Sequence, residues 1–267
     1  MVAFLTSPKT LAVGVALAAV IGFGPPAWAA SQYVVIAAEG SVAEAFPPGK
    51  VLVPGDRIEV ADDSKLTLLG EDGTVTAIPG PAKVAVTEDS VRDDTGEADD
   101  LAAQQERNRS TLEKLASLIA GEQRRADSLG VSRGFDAAGR AEGLDDPWVL
   151  SVHRTAQGCV RNEPIRLGRR SAAKAITLTV RGDDINSVTE IEWPAGQSVI
   201  DLPETLGPAN AELLVKADGS TVFITLNRLP DDVRVDDPMA VMGWMVDQGC
   251  DGQAIAFARL LAAEAQR

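Results

Sequence analysis

Apolar and polar positions along the chain change period twice. From Tyr33 to Thr87 the apolar runs are short and turn signals interrupt them. Tyr33-Val34-Val35-Ile36 reads as an apolar strand. Gly40-Ser41-Val42 opens a second, which Pro47-Pro48-Gly49 ends. Val51-Leu52-Val53 and Arg57-Ile58-Glu59-Val60 flank Pro54-Gly55-Asp56, a turn signal. Lys65 to Leu69 alternates and meets Thr74 to Ile78 across Asp72-Gly73, a strong short hairpin signal. Ala82 to Val86 is the last strand, after Pro79-Gly80-Pro81. About six strands in about 55 residues make a small all-β domain.

The period then becomes helical. Leu112, Leu115, Ile119, Ala126 and Leu129 share one face of a helix expected over 101–129. Two readings of this seam stay open. One is a dimeric coiled coil through Leu112, Leu115 and Ile119; the other is packing on the chain's own domains. Gln105, Asn108 and Glu122 at the remaining seam positions weaken the first. An acidic stretch over 88–100 precedes the helix, and a Gly-, Asp- and Arg-containing linker over 130–146 follows it.

Beyond Pro147 the strand period returns. Strands are expected over 148–153, 175–181, 188–193, 198–202, 211–217 and 221–227, the last two joined by Asp218-Gly219. Asp237 caps a helix that starts at Pro238. Helices over 239–248 and 251–265 are separated at Gly249-Cys250. The fold class expected is mainly β with α, an α+β chain. The parse is a signal over 1–29, a β domain over 31–90, a linker-helix-linker segment over 91–146, and a β-rich domain with a helical tail over 147–267.

The N-terminal segment alters where this fold is placed. Lys9 precedes an apolar run from Leu11 to Phe23, and Pro25 and Pro26 break it. Ala27-Trp28-Ala29 fits the small-x-small cleavage rule, with the cut after Ala29 or after Ala30. The run is short for a membrane span. A periplasmic location is expected, the alternative being inner-membrane retention by an uncleaved signal anchor. The chain has two cysteines, Cys159 and Cys250. In an exported chain an even count points to a disulfide, the alternative being two unpaired thiols.

Composition narrows the function. The formal net charge is −14 and aromatic residues make up 4%. Nucleic-acid binding needs basic patches and stacking rings, so that class is excluded, and anionic lipid surfaces are disfavoured. His153, the single histidine, lies six residues before Cys159, but a disulfide would remove that nucleophile. One His and two distant Cys make no spaced zinc set. The acidic clusters Asp93, Asp94, Glu97, Asp99, Asp100 and Asp231, Asp232, Asp236, Asp237 lack the spacing of a calcium loop. Asp56 and Asp72 could mimic a glycosidase carboxylate pair, yet both sit in turns where Asp is structurally preferred. Gly130-x-x-x-Gly134 lacks the residues of a phosphate loop. Trp148, Trp193 and Trp244 read as core of the second domain. No catalytic residue, metal ligand or cofactor is assigned.

Gly40-Ser41-Val42, Leu52-x-x-Gly55-Asp56-x-Ile58, Ser64-Lys65-Leu66-x-Leu68 and Asp72-Gly73-Thr74-x-Thr76 follow one another with a characteristic order and spacing. On these residues the segment resembles a FecR-type domain, the periplasmic module of iron-dicitrate signalling regulators. The motif positions are Gly40, Gly55, Asp56, Asp72 and Gly73. The resemblance implies a small β-sandwich-like domain, without chemistry of its own, that contacts envelope proteins or ligands. With a cleavable signal directly before it, the chain is similar to free-standing exported FecR-like proteins. The tail Trp244-Met245-x-x-x-Gly249-Cys250-x-x-Gln253-Ala254 resembles that of envelope proteins that pair such a segment with a FecR-like domain. The expected function is a non-enzymatic periplasmic binding or sensing module acting on an envelope protein or small ligand. Alternatives are an envelope assembly factor that dimerises through the central helix, and a hydrolase with an unrecognised site.

Overall fold

A computed structural model describes residues 32–86, 98–128, 146–153, 156–183, 188–206, 211–217 and 219–267. The signal segment, the residues 88–97 of the acidic stretch, the 130–145 linker and Asp218 lie outside the described residues. The chain is mainly β with α.

In the first module, strand β1 (Tyr33–Glu39) lies between β2 (Val51–Leu52) and β4 (Lys65–Gly70), and β5 (Val75–Pro79) completes a sheet of order β2-β1-β4-β5. Strands β3 (Arg57–Val60) and β6 (Ala82–Ala85) form an antiparallel ribbon beside it. Val35, Leu66, Leu68, Ile58 and Val60 share the core between sheet and ribbon. Val34, Ile36 and Leu69 point to the opposite face and enter a different core. The uninterrupted apolar run Val34-Val35-Ile36 is thus the signature of a strand buried on both faces.

One expected strand is absent. Residues Val42–Ala45 form a single helical turn, α1. Gly40 has a left-handed φ of 75°, and a side chain there would meet Ser64 Oγ and the Asp63 carbonyl. The chain turns at that point, so Val42-Ala43-Glu44-Ala45 cannot continue β1 and takes the conformation its alanines favour.

The second module is a sandwich. One sheet has the order β11 (Val188–Trp193), β10 (Ile176–Arg181), β13 (Glu212–Ala217), β14 (Ser220–Arg228), β8 (Ala156–Val160). The other has the order β12 (Val199–Asp201), β9 (Arg166–Gly168), β7 (Val149–Ser151). Leu178, Val180, Trp193, Leu213, Val215, Val222 and Ile224 share an apolar core with Leu150, Ile165, Leu167 and Leu202. Strands β8 and β9 were not expected from sequence; β8 pairs parallel with β14, and β9 parallel with β7.

Three helices form a layer with its own core. Helix α2 (Ala98–Ser128) contributes Leu112, Leu115 and Ile119. Helix α3 (Pro238–Asp247) adds Met239, Val241, Met242 and Met245, and α4 (Asp251–Glu264) adds Ala254, Ile255, Phe257 and Ala258. The Asp237 carboxylate accepts from Ala240 N at 3.0 Å, so the α3 cap forms as expected. This core takes Val34, Ile36 and Leu69 from the first module and Trp148, Cys159 and Leu229 from the second. Trp148 meets Phe257 edge to face at 6.2 Å. The tail helices therefore belong to both modules, not to the second alone. Trp148 sits in this helical core, Trp193 in the sandwich, and Trp244 at the helical rim.

The seam on α2 is used within the chain. Leu112 and Leu115 are fully buried and Ile119 nearly so, in a core shared with α3, α4 and β1, which is the packing alternative of the seam. Gly243 brings α3 close, since a side chain there would meet Thr111 Oγ1 at 3.0 Å. Among the described residues no helix is long and apolar enough to cross a membrane.

Leu115→Ala removes a fully buried side chain and should cost about 2–5 kcal/mol in chemical unfolding, with the sedimentation coefficient unchanged. Deleting the residues after Pro238 should abolish cooperative unfolding, because the faces of Val34, Ile36 and Trp148 would be uncovered.

Candidate functional site

The two cysteines meet. Cys159 of β8 and Cys250 at the start of α4 form a disulfide across 91 residues of chain, with Cα atoms 6.0 Å apart. Gln253, one helical turn into α4, completes the junction. Its Oε1 accepts from Cys159 N at 2.8 Å, and its Nε2 donates to the carbonyls of Cys159 at 2.8 Å and Pro147 at 2.6 Å. The side-chain amide thus acts as a one-residue strand on the open edge of β8 and satisfies backbone groups at a fully buried residue. Gly249, with φ of 73°, provides the sharp turn between α3 and α4.

This arrangement disposes of the thiol–imidazole pair: Cys159 is covalently engaged and cannot attack. His153 Nε2 instead accepts from Arg170 N at 3.0 Å and steadies a loop. Asp56 Oδ2 accepts from Val53 N at 2.9 Å, and Asp72 Oδ1 accepts from Thr74 N at 3.0 Å and Thr74 Oγ1 at 2.6 Å. Both carboxylates therefore hold turns. Gly55 and Gly73 have φ of 97° and 80° in those turns. The five motif positions build the frame of the first module and do not converge on one point. Asp231 accepts from Asn162, Asp236 pairs with Arg234, and Asp237 caps α3. The hydrogen bond from Arg234, and then its charge, hold the Asp236 carboxyl below its ordinary range. Among the described residues no group of three or more His, Cys, Asp or Glu could hold a metal ion.

Two buried charges escaped the reading of the sequence. Arg169 donates to the carbonyls of Gln197 at 3.0 Å, Lys174 at 2.7 Å and Pro194 at 2.6 Å, and its guanidinium lies 4.9 Å from the Trp193 ring centre. It braces two loops of the sandwich. Glu71, after β4, is buried beside α2: its Oε1 accepts from Arg109 Nε at 3.1 Å and from Gln32 N at 3.2 Å. Neither residue lies in a periodic pattern or beside a partner in sequence, so no local signal marks them.

Large exposed apolar side chains lie at Val188, Phe223 and Val235 of the second module and its tail, and as a group on two strand edges of the first module. Strand β2 pairs with β1 alone and β6 with β3 alone among the described residues. Val51, Val53 and Val84 on these two edges are 36%, 43% and 40% exposed. The 53–56 turn joins the edges, since Gly55 N donates to Val86 O and Val86 N to Asp56 O, both at 2.9 Å. A shallow groove of about 320 Å³ runs along the ribbon, lined by Val60, Ala61, Pro81 and Ala82. Glu59 and Lys83 form an exposed pair at 2.9 Å on its rim. The hydrogen bond to Glu59, and then its charge, raise the Lys83 ammonium above its ordinary range.

Comparison of the chain with protein families, curated proteins and solved structures finds no match.

Gln253→Ala would leave the Cys159 and Pro147 backbone groups without partners in a dry setting. It should cost about 1–3 kcal/mol in chemical unfolding. Replacing Cys159 and Cys250 together by Ala should cost about 4–5 kcal/mol in the chain-entropy picture for a loop of this length.

Proposed function

We propose that the chain is an exported, non-enzymatic binding module of the cell envelope, whose FecR-like first domain contacts an envelope protein along the β2 and β6 edges. The observation that carries this reading is the row of exposed valines on two strand edges beside an apolar groove. Edge strands with free backbone groups accept an extended segment by β-addition, while neighbouring apolar positions select its side chains. The Glu59–Lys83 pair would frame the segment without opposing either sign of charge. The disulfide supports export, because such bonds persist in oxidising compartments. The periplasm is the compartment the signal segment favours. The order of the glycine and aspartate turns supports the FecR-like assignment, since each motif residue holds a turn of the small β-module.

Photo-crosslinking in intact envelopes tests the surface. A crosslinking residue at Val53 or Val84 should give a discrete protein adduct that Val51→Asp weakens at least about tenfold, which is about 1.4 kcal/mol of binding. The same group at Thr177, on the outer face of the sandwich, should give none. Equal adducts at all positions, or adducts at Thr177 alone, would overturn the reading.

A further inference from the structure

The buried carboxylate of Glu71 has a donor on one oxygen only. Its Oε1 takes hydrogen bonds from Arg109 and Gln32, whereas Oε2 is buried and accepts none among the described residues. The Oε1 atom of Gln32 is likewise buried without a donor. Two acceptors thus lie bare where the chain enters β1, and the backbones lock the place: Gln32 N donates to Glu71 Oε1, and Glu71 N donates to Gln32 O, both at 3.2 Å. Asn108 of α2 donates to the Glu71 carbonyl at 3.0 Å from the other side. A buried carboxylate oxygen calls for a charged donor, and Arg109 is hydrogen-bonded to Oε1 instead.

The sequence places a donor of that kind one or two residues away. We propose that Glu71 is the receptor for the α-ammonium created by signal cleavage, so that export processing itself completes the fold. The inference rests on the export reading above. Hydrolysis of the Ala29–Ala30 bond adds one water: the leaving segment keeps a carboxylate on Ala29 and the mature chain gains an ammonium on Ala30. A cut after Ala30 puts the ammonium on Ser31. Successive Cα atoms are about 3.8 Å apart, so either nitrogen lies within about one or two residue lengths of Gln32 N. Gln32 N already sits on the Glu71 carboxylate. In the precursor the same nitrogen is an uncharged amide with one hydrogen. After cleavage it carries three donors and a positive charge, which match Glu71 Oε2 and Gln32 Oε1.

The sign of the pH dependence follows. An ammonium that gains a carboxylate on folding has its pKa raised above the ordinary value of about 7.7–8.0. Its stabilisation is complete below that value and is lost as pH rises through the raised one. Among the described residues, the charged and titratable groups at this place include Glu71 with Arg109 of α2 at 3.1 Å, and Asp72 and Tyr33, which lie against Gly70 at the end of β4.

The test uses the protein exported with its own signal. Mass spectrometry first fixes the mature N-terminus. Thermal unfolding is then followed from pH 7 to 9.5 for the wild type, for Glu71→Gln, and for a chain with two alanines inserted after Ala30. The wild type should lose about 5 °C more in Tm across this range than either variant. Equal losses in all three, with Ala30 or Ser31 as the first residue, would overturn the receptor role and leave the export reading intact. A first residue elsewhere would overturn both. A Glu71→Gln change that lowers Tm equally at every pH would mean that a water holds the carboxylate, and would also overturn the proposal.

Discussion

The peptide of Cys159 is where the chain's two halves are tied. Its sulfur is bonded to Cys250, and its backbone donor and acceptor are taken by the Gln253 side chain. Strand β8 would otherwise end the larger sheet as an open edge under a helix, with polar groups that neither water nor protein could satisfy. The disulfide fixes where α4 begins, and the amide fixes its rotation. With α4 placed, Phe257 reaches Trp148 and the buried alanines Ala254 and Ala258 face inward. Helix α3 precedes α4 by one tight turn at Gly249, so it is placed as well.

From that anchor the helical layer reaches the first module. Helices α2, α3 and α4 cover Val34, Ile36 and Leu69 on the back of the β1 sheet. The front of that sheet closes on the β3–β6 ribbon through Val35, Leu66 and Leu68. A central strand buried on both faces has no freedom of register, because a one-residue slip would exchange the two cores. The surface pairs Lys114–Asp247 and Arg259–Glu122 link α2 to the tail helices, but both are about half exposed and add little beside the apolar contacts. Strands β2 and β6 are among the edges left open in the described residues. A frame held by apolar contact keeps such edges fixed in shape.

Much of this was legible in the chain. The Asp72-Gly73 hairpin, the Asp237 cap, the seam of Leu112, Leu115 and Ile119, and the unbroken run Val34-Val35-Ile36 are local signals, and each occupies the element expected of it. What was not legible is non-local. Strand β8 carries Gln157-Gly158 at its centre, shows no alternation, and exists only because β14 pairs with it in parallel. The Gly40–Ala45 segment looked like a strand because its apolar residues were counted without the reversal at Gly40. Gln253 lies in the expected C-terminal helix, but its role depends on a strand more than ninety residues away. The same holds for Glu71 and Arg169, whose partners come from other elements. At the candidate surface the turns were visible, whereas the exposure of Val53 and Val84 is a property of which edges remain unpaired.

One core, anchored at Cys159, holds both β-modules. Native-state hydrogen exchange of the oxidised protein, read on peptides covering β1, α3 and β8, tests it most directly. With one shared core, the slowest amides of all three should open with one shared free energy, as a single cooperative unit. Separate openings, with β1 exchanging through a cheaper event while α3 and β8 stay protected, would contradict it.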